Sequence, residues 1–333
     1  MTLLWMDGFD HYNGKNDVVY AYDAVNVSHV STVLNDTKSR WTPVGQGFSI
    51  TYTDSIEKWF FNKTTICFGV AFWCWSGIAG YNSGYPQMAF KALGSNEIRF
   101  DVNSSFYIEI RRGTTLIGTS SAVCLTDAWN FIEAKLVHHN SAGEIIVNLN
   151  GSQVYNQTGL DTVQNQNFID AFLLGGIPNS TTSFDDLWID DANLHGDCQV
   201  KTFMPDSGGN YSQFTPSAGD NYDCVNEELL NEDTDYVEGN TVGNKDTYKI
   251  TTGELQTVKG IQVNNCMKKL QAGERYVKNL CRSGGTDYQS DAHYPNSGGY
   301  EYLPTVWELD PDDSNPWTQV KLEAAEFGLE ITI

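Results

Sequence analysis

The chain has 333 residues, with 42 Asp+Glu against 20 Lys+Arg, a net charge of −22, and 9 Trp, 17 Tyr and 16 Phe in a 40% hydrophobic composition. A surface this acidic repels nucleic-acid backbones and anionic membranes, which are bound through basic contacts, so neither is expected as a partner. No apolar run reaches roughly 18 residues, which excludes a spanning helix. The opening MTLLWMDGFDHYNG lacks a basic region followed by an apolar stretch, so no secretory signal is expected.

In chain order, the dominant pattern is short β segments separated by Gly, Asn, Asp and Ser clusters, which predicts an all-β sandwich. TICFGVAFWCW (65–75) is almost continuously apolar and suits a strand buried on both faces. EIRFDVN (97–103) and FYIEIRR (106–112) extend a meander. FIEAKLVHH (131–139) puts Ile132, Ala134 and Leu136 on one face and Glu133 and Lys135 on the other, the two-residue period of a strand. EIIVNLNGSQVYNQ (144–157) reads as two strands around Asn150-Gly151, whose positive φ angles make a tight hairpin. SFDDLWIDDANLHGDCQV (183–200) then places four aspartates around a Leu-Trp-Ile core. Residues 204–224 are rich in Gly, Pro, Ser, Asp and Asn and read as a linker or surface loop. Strand-like runs resume in DTYKITT (246–252), VKGIQVNNCMKKL (258–270) and RYVKNLCRS (275–283). VNEELLNED (225–233) holds a helical turn or two, and TQVKLEAAEFG (318–328) is compatible with helix or extended chain. The expected organisation is a first domain over 1–203, the linker, and a smaller β-sandwich over 225–333.

Seven cysteines (67, 74, 124, 198, 224, 266, 281) lack the close pairing of zinc sites and are expected to be mostly buried thiols, with one or two disulfides open to formation after release from a cell. Eight N-x-[ST] sequons, among them Asn26, Asn62, Asn150 and Asn179, are taken as turn vocabulary rather than glycosylation sites.

WNFIEAKLVHHNSAGEIIVNLNGSQVYN followed by FLLGGIPNSTTSFDDLWIDD resembles the laminin-G/pentraxin branch of the concanavalin A-like jelly rolls over roughly residues 1 to 200. The resemblance implies that FDDLWI returns to the sheet beside the N-terminal LLWMDGFDHY. Those segments, taken with DYVEGNTVGNKDTYKI, LCRSGGTDY and ELDPDDSNPWTQVKLEAAEFGLEI, resemble tailed-bacteriophage virion proteins that join a concanavalin A-like domain to a C-terminal β domain. That likeness spans most of the chain and implies a particle component.

Candidate chemistry is thin. On a strand, Asp185 and Asp186 point to opposite faces, as do Asp190 and Asp191. Some laminin-G and pentraxin domains hold calcium with loop carboxylates, but calcium needs six to eight oxygens from several positions. The expected role of these aspartates is to end a core strand and solvate its edges. WELDPDD (307–313) resembles the E-x-D-x-x-E strand of laminarinase-type glucanases in Glu308 and Asp310, but Asp313 stands for the second Glu and Pro311 interrupts the strand. Turn chemistry is the better reading. His138 and His139 fall on opposite faces and cannot share a metal, and neither a phosphate loop nor a G-x-S-x-G elbow occurs. Tyrosines in YNSGYPQMAF (81–90) and DAHYPNSGGYEY (291–302) could offer platforms to sugar rings or protein partners, or pack over their own loops.

The expectation is a non-enzymatic virion structural protein, made in the host cytoplasm, with no catalytic, cofactor-binding or metal-ligating residues. A tail fibre or baseplate component leads, assembling as a homo-oligomer (trimer favoured) with other virion proteins and contacting a host receptor or surface glycan. The alternatives are a capsid decoration protein and a carbohydrate-binding module or glycan depolymerase.

Overall fold

The computed structural model describes residues 2–12, 15–26, 33–35, 39–41, 47–51, 54–78, 88–176, 181–271 and 273–333; Tyr81, Tyr85 and Asn179 lie outside them. The described residues are all-β but for two short α-helices, Lys15–Ala21 and Gln319–Ala324, and a few 3-10 turns. It divides into two compact units, Thr2–Asp10 with Gly14–Val200, and Lys201–Ile333 with His11–Asn13.

The larger unit is a jelly-roll sandwich of two antiparallel sheets. The seven-stranded sheet runs Thr115–Val123, Tyr107–Arg112, Ser95–Val102, Met88–Ala92, Ile169–Gly175, Ser55–Lys63, Ala24–Asn26. In the eight-stranded sheet, Thr65–Cys74 lies between Ala128–Val137 and Thr181–Asp190, so strands distant in sequence are neighbours, as crossovers between two sheets require. Leu3–Asp7 pairs antiparallel with Thr181–Asp190, which the family resemblance implied. The sheets meet through aromatic rings. Phe68 of one packs on Phe90, Phe100 and Phe172 of the other at centroid distances of 5.5, 5.3 and 4.6 Å. Rings this size contribute most of the buried area that holds two sheets together.

Local sequence explains the ladders. Ile145, Val147 and Leu149 alternate inward along Gly143–Leu149. Asn150 and Gly151 take φ of 50° and 78°, and the Asn150 side chain accepts the Phe131 N–H at 2.8 Å, fixing the hairpin against its neighbour. Thr65–Cys74 is buried on both faces because residues past Asp191 return across the sheet: Gly196 N donates to Glu133 Oε2 and Val200 N to Asp186 Oδ1, both at 2.8 Å.

The smaller unit carries a five-stranded sheet ordered Ser207–Ser212, Lys245–Lys249, Glu326–Thr332, Tyr276–Ser283, Thr286–Gln289. The two-stranded antiparallel ladder of Ile261–Met267 and Glu301–Trp307 packs Ile261, Val263 and Trp307 on a core of Cys281, Trp317, Leu322, Ala325 and Phe327. Several details depart from the sequence reading. The 204–224 stretch is no linker: Ser207–Ser212 pairs with Lys245–Lys249, and the glycines permit this, since a Cβ on Gly209 would lie 2.4 Å from Thr247 Oγ1. Over 225–233 only a 3-10 turn beginning at Glu232 forms. The final segment is both things at once, a helix to Ala324 and then strand Glu326–Thr332.

Candidate functional site

The aspartates of FDDLWIDD are interior ties. Asp185, Asp186 and Asp190 are buried, which corrects the expectation that they solvate strand edges. A bulge between Asp185 and Trp188, with Asp186 at φ 53°, breaks the simple alternation and turns both carboxylates under the sheet. Asp186 accepts from Trp41 Nε1 at 2.7 Å, Arg40 Nη1 at 3.2 Å and Val200 N. Asp185 accepts from Arg40 N and Asp186 N, and burial followed by the Asp186 charge pushes its carboxyl up to about 8. Asp190 accepts from Thr2, Ala192, Asn193 and His195. These donors are backbone and side-chain groups of the fold itself.

In WELDPDD, the strand stops at Trp307 and the acids build a turn. Asp310 is buried, accepts Asp312 N and faces Lys321 at 3.2 Å, and Asp313 accepts Asn315 N and Lys321. His138 is buried against the Gln166 carbonyl at 2.8 Å, while His139 Nδ1 accepts Ala142 N. Tyr294 lies under Lys269 and Tyr300 donates to Asp233, so both already have partners outside their own loop. No group of three or more His, Cys, Asp or Glu is placed to hold a metal among the described residues. A cavity of about 230 Å³ in the smaller unit is lined by Tyr211, Tyr222 and Tyr248 with Asn221. Three of its polar groups are already engaged: Tyr211 donates to Asp287, Tyr248 to Asp246 and Asn221 to the Phe214 carbonyl.

The outer face of the seven-stranded sheet is different. In Ser95–Val102, Ile98 and Phe100 face the core, so Glu97, Arg99 and Asp101 face out. In Tyr107–Arg112, Ile108 and Ile110 face the core and Glu109 and Arg111 face out. Antiparallel register sets Arg99 directly opposite Arg111, and Asp101 directly opposite Glu109. Two guanidiniums side by side repel, and the carboxylates one step along the strands hold them. Arg99 Nη2 bonds Asp101 Oδ2 at 2.5 Å, Arg111 Nη2 bonds Glu109 Oε2 at 2.5 Å, and Arg111 Nε lies 3.7 Å from Asp101. The turn between the strands is built by Asn103, which accepts Ser105 N and Tyr107 N and donates to Glu109.

This cluster is buried yet incompletely paired. Arg99 is 7% and Asp101 2% exposed, and neither Arg99 Nε nor Asp101 Oδ1 has a hydrogen-bond partner among the described residues. Orphan buried polar atoms are costly and mark a place where a further group is expected. Burial pushes the Asp101 carboxyl up to about 6 despite the two arginines. Further across the same face, Lys91 pairs with Glu57, and Trp59 and Phe61 project from Ser55–Lys63 at 57% and 91% exposure. Trp59 lies three strands from Arg99, roughly 14 Å at normal strand spacing.

Sequence reading passed over these residues. A signal existed in EIRFDVNSSFYIEIRR: charges at every second position on both sides of a short Asn-Ser turn, which folds them onto one face.

No family model matches the chain, and no curated protein does. Solved structures do. An endo-β-1,4-glucuronan lyase from the fungus Trichoderma reesei is 10% identical, covering 58% of this chain and 100% of that one, with a TM-score of 0.36. A sialidase is 10% identical over 58% of this chain and 19% of its own length, with a TM-score of 0.41. An alginate lyase in complex with an alginate trisaccharide is 9% identical over 44% of this chain and 82% of that one, with a TM-score of 0.34. The likeness is one of fold. It corrects the expectation of a non-enzymatic protein: enzymes use this fold, and the lack of a familiar catalytic motif gives no ground for excluding catalysis.

Proposed function

We propose that the chain is a glycan-engaging component of a bacteriophage particle, and that the outer face of the seven-stranded sheet holds a saccharide bearing carboxylates. The particle setting rests on the sequence resemblance alone. The glycan reading rests on one observation: Arg99 and Arg111 side by side, with a guanidinium N–H unpartnered among the described residues, on a face that also offers exposed aromatic rings. Guanidiniums bind carboxylates through a planar fork, and aromatic rings take the apolar faces of sugars. On a molecule of charge −22, an anionic ligand needs such a local exception. Asp101 competes with the ligand for the arginines when ionised.

Calorimetric titration of the full chain with oligoglucuronate and with a neutral glucan of equal length tests this reading. The acidic oligomer binds and the neutral one does not; Arg99→Ala weakens binding by roughly tenfold or more, and Trp59→Ala by several-fold. Asp101→Asn tightens binding at pH 7.5. In the wild type affinity rises as pH falls through about 6, because protonated Asp101 releases the arginines while sugar carboxylates stay ionised. Equal binding of both oligomers, or an unchanged affinity in Arg99→Ala, overturns the proposal. Ultraviolet absorbance of an unsaturated uronate in the same samples reports any cleavage. Immunogold labelling of particles tests the setting separately.

A further inference from the structure

Cys74 ends strand Thr65–Cys74 of the eight-stranded sheet, and Cys124 directly follows Thr115–Val123, the edge strand of the seven-stranded sheet. The turn that carries Cys124 folds back on Cys74: Asp127 N donates to the Cys74 carbonyl at 2.7 Å, and Ala128 is the cross-strand partner of Cys74. Cys124 N is itself fixed to the Phe106 carbonyl at 2.9 Å. Both thiols are buried, at 0% and 2% exposure, and each shifts the titration of the other. Leu125, the residue after Cys124, is 57% exposed.

From this placement we propose that Cys74 and Cys124 are a disulfide-forming pair that clasps the two sheets of the sandwich once the protein meets an oxidising medium. The oxidant is a low-molecular-weight disulfide. The Cys74 thiolate attacks one of its sulfurs and releases one small thiol; Cys124 then gives up its proton and displaces the second small thiol from the mixed disulfide. Two protein thiols and one small disulfide become one protein disulfide and two small thiols. The order follows from their mutual influence, which holds the Cys74 thiol below its ordinary value and pushes Cys124 up. Attack needs only brief opening of the exposed turn. The linkage closes a loop across the sandwich and restrains its unfolded chain. Neither sulfur belongs to the arginine face, so this inference stands apart from the glycan reading.

The test incubates the folded full chain with oxidised glutathione, blocks remaining thiols with an alkylating agent under denaturing conditions, and maps the peptides. Expected are a loss of two hydrogens, one peptide pair joining Cys74 to Cys124, and five alkylated cysteines. Cys74→Ser and Cys124→Ser each abolish the link. The oxidised protein melts roughly 5 °C or more above the reduced one, and the serine variants show no such shift. A different pair, a stable glutathione adduct, alkylation of all seven cysteines, or an unchanged melting point overturns the proposal. Circular dichroism of the serine variants confirms that they fold, so a missing link is not read from a misfolded chain.

Discussion

Asp186 sits at φ 53° in the middle of a buried strand, a conformation that costs a non-glycine residue of this kind about 1 kcal/mol or more. The strain is offset by what the turned carboxylate reaches: the Trp41 indole and Arg40 guanidinium of one segment and the Val200 amide of another far away in sequence. Removing it leaves Arg40 and two other donors facing a hole. Asp186→Ala is therefore expected to destabilise the sandwich by about 3 kcal/mol in chemical denaturation, with a smaller loss for Asp186→Asn. A loss under about 0.5 kcal/mol would mean that water substitutes freely for the carboxylate. Sequence alone identified the acids of this segment as structural but placed them at solvated edges. The reason is specific: alternation was assumed to run unbroken, and a bulge, which no single residue here announces, moves Asp186 out of its predicted face. The same limit hid Arg99 and Arg111, whose pairing depends on the exact register across the Asn103 turn.

At the scale of elements, reading was better where one residue carries the geometry. Asn150-Gly151 folded as expected because positive φ at two successive positions leaves few alternatives. The pairing of Leu3–Asp7 with the FDDLWI strand, which only the family resemblance implied, is present in the larger unit. The partner on the far side shows how tight this packing is. Gly69 lies opposite Trp188, and a Cβ there would meet the indole at 2.2 Å from Cε2 and 2.3 Å from Nε1. Gly69→Ala must push the ring off the sheet, with Asp190 and His195 behind it. The expected cost is about 1–3 kcal/mol, read as a lower urea midpoint with an unchanged slope. Gly94→Ala, at a position where nothing lies within 4 Å but φ is +78°, separates backbone strain from ring displacement. Loss in that control as large as in Gly69→Ala would remove Trp188 from the explanation.

For the whole molecule, acidity and burial combine into a pH dependence whose sign is fixed by which groups move. Asp185 is pushed up to about 8 in the fold, against about 4 for an unfolded aspartate. A raised carboxyl stabilises fully below its unfolded value, and that contribution fades as pH climbs through the folded value, because the unfolded chain ionises more readily. His138 acts oppositely: burial holds it below the ordinary imidazole value, so stability drops as pH falls under about 6.5. Above that pH the histidine is neutral in both states and Asp185 governs. The melting temperature is therefore expected to fall between pH 6.5 and 8.5 in the wild type. In Asp185→Asn the slope flattens, because the amide cannot ionise while still accepting from the Arg40 backbone. Self-repulsion at a charge of −22 adds a salt-sensitive background that the substitution barely alters, so the comparison belongs at one fixed ionic strength. If the two proteins keep the same slope, the titrating group lies elsewhere, and Asp185 is ionised in the fold beside Asp186.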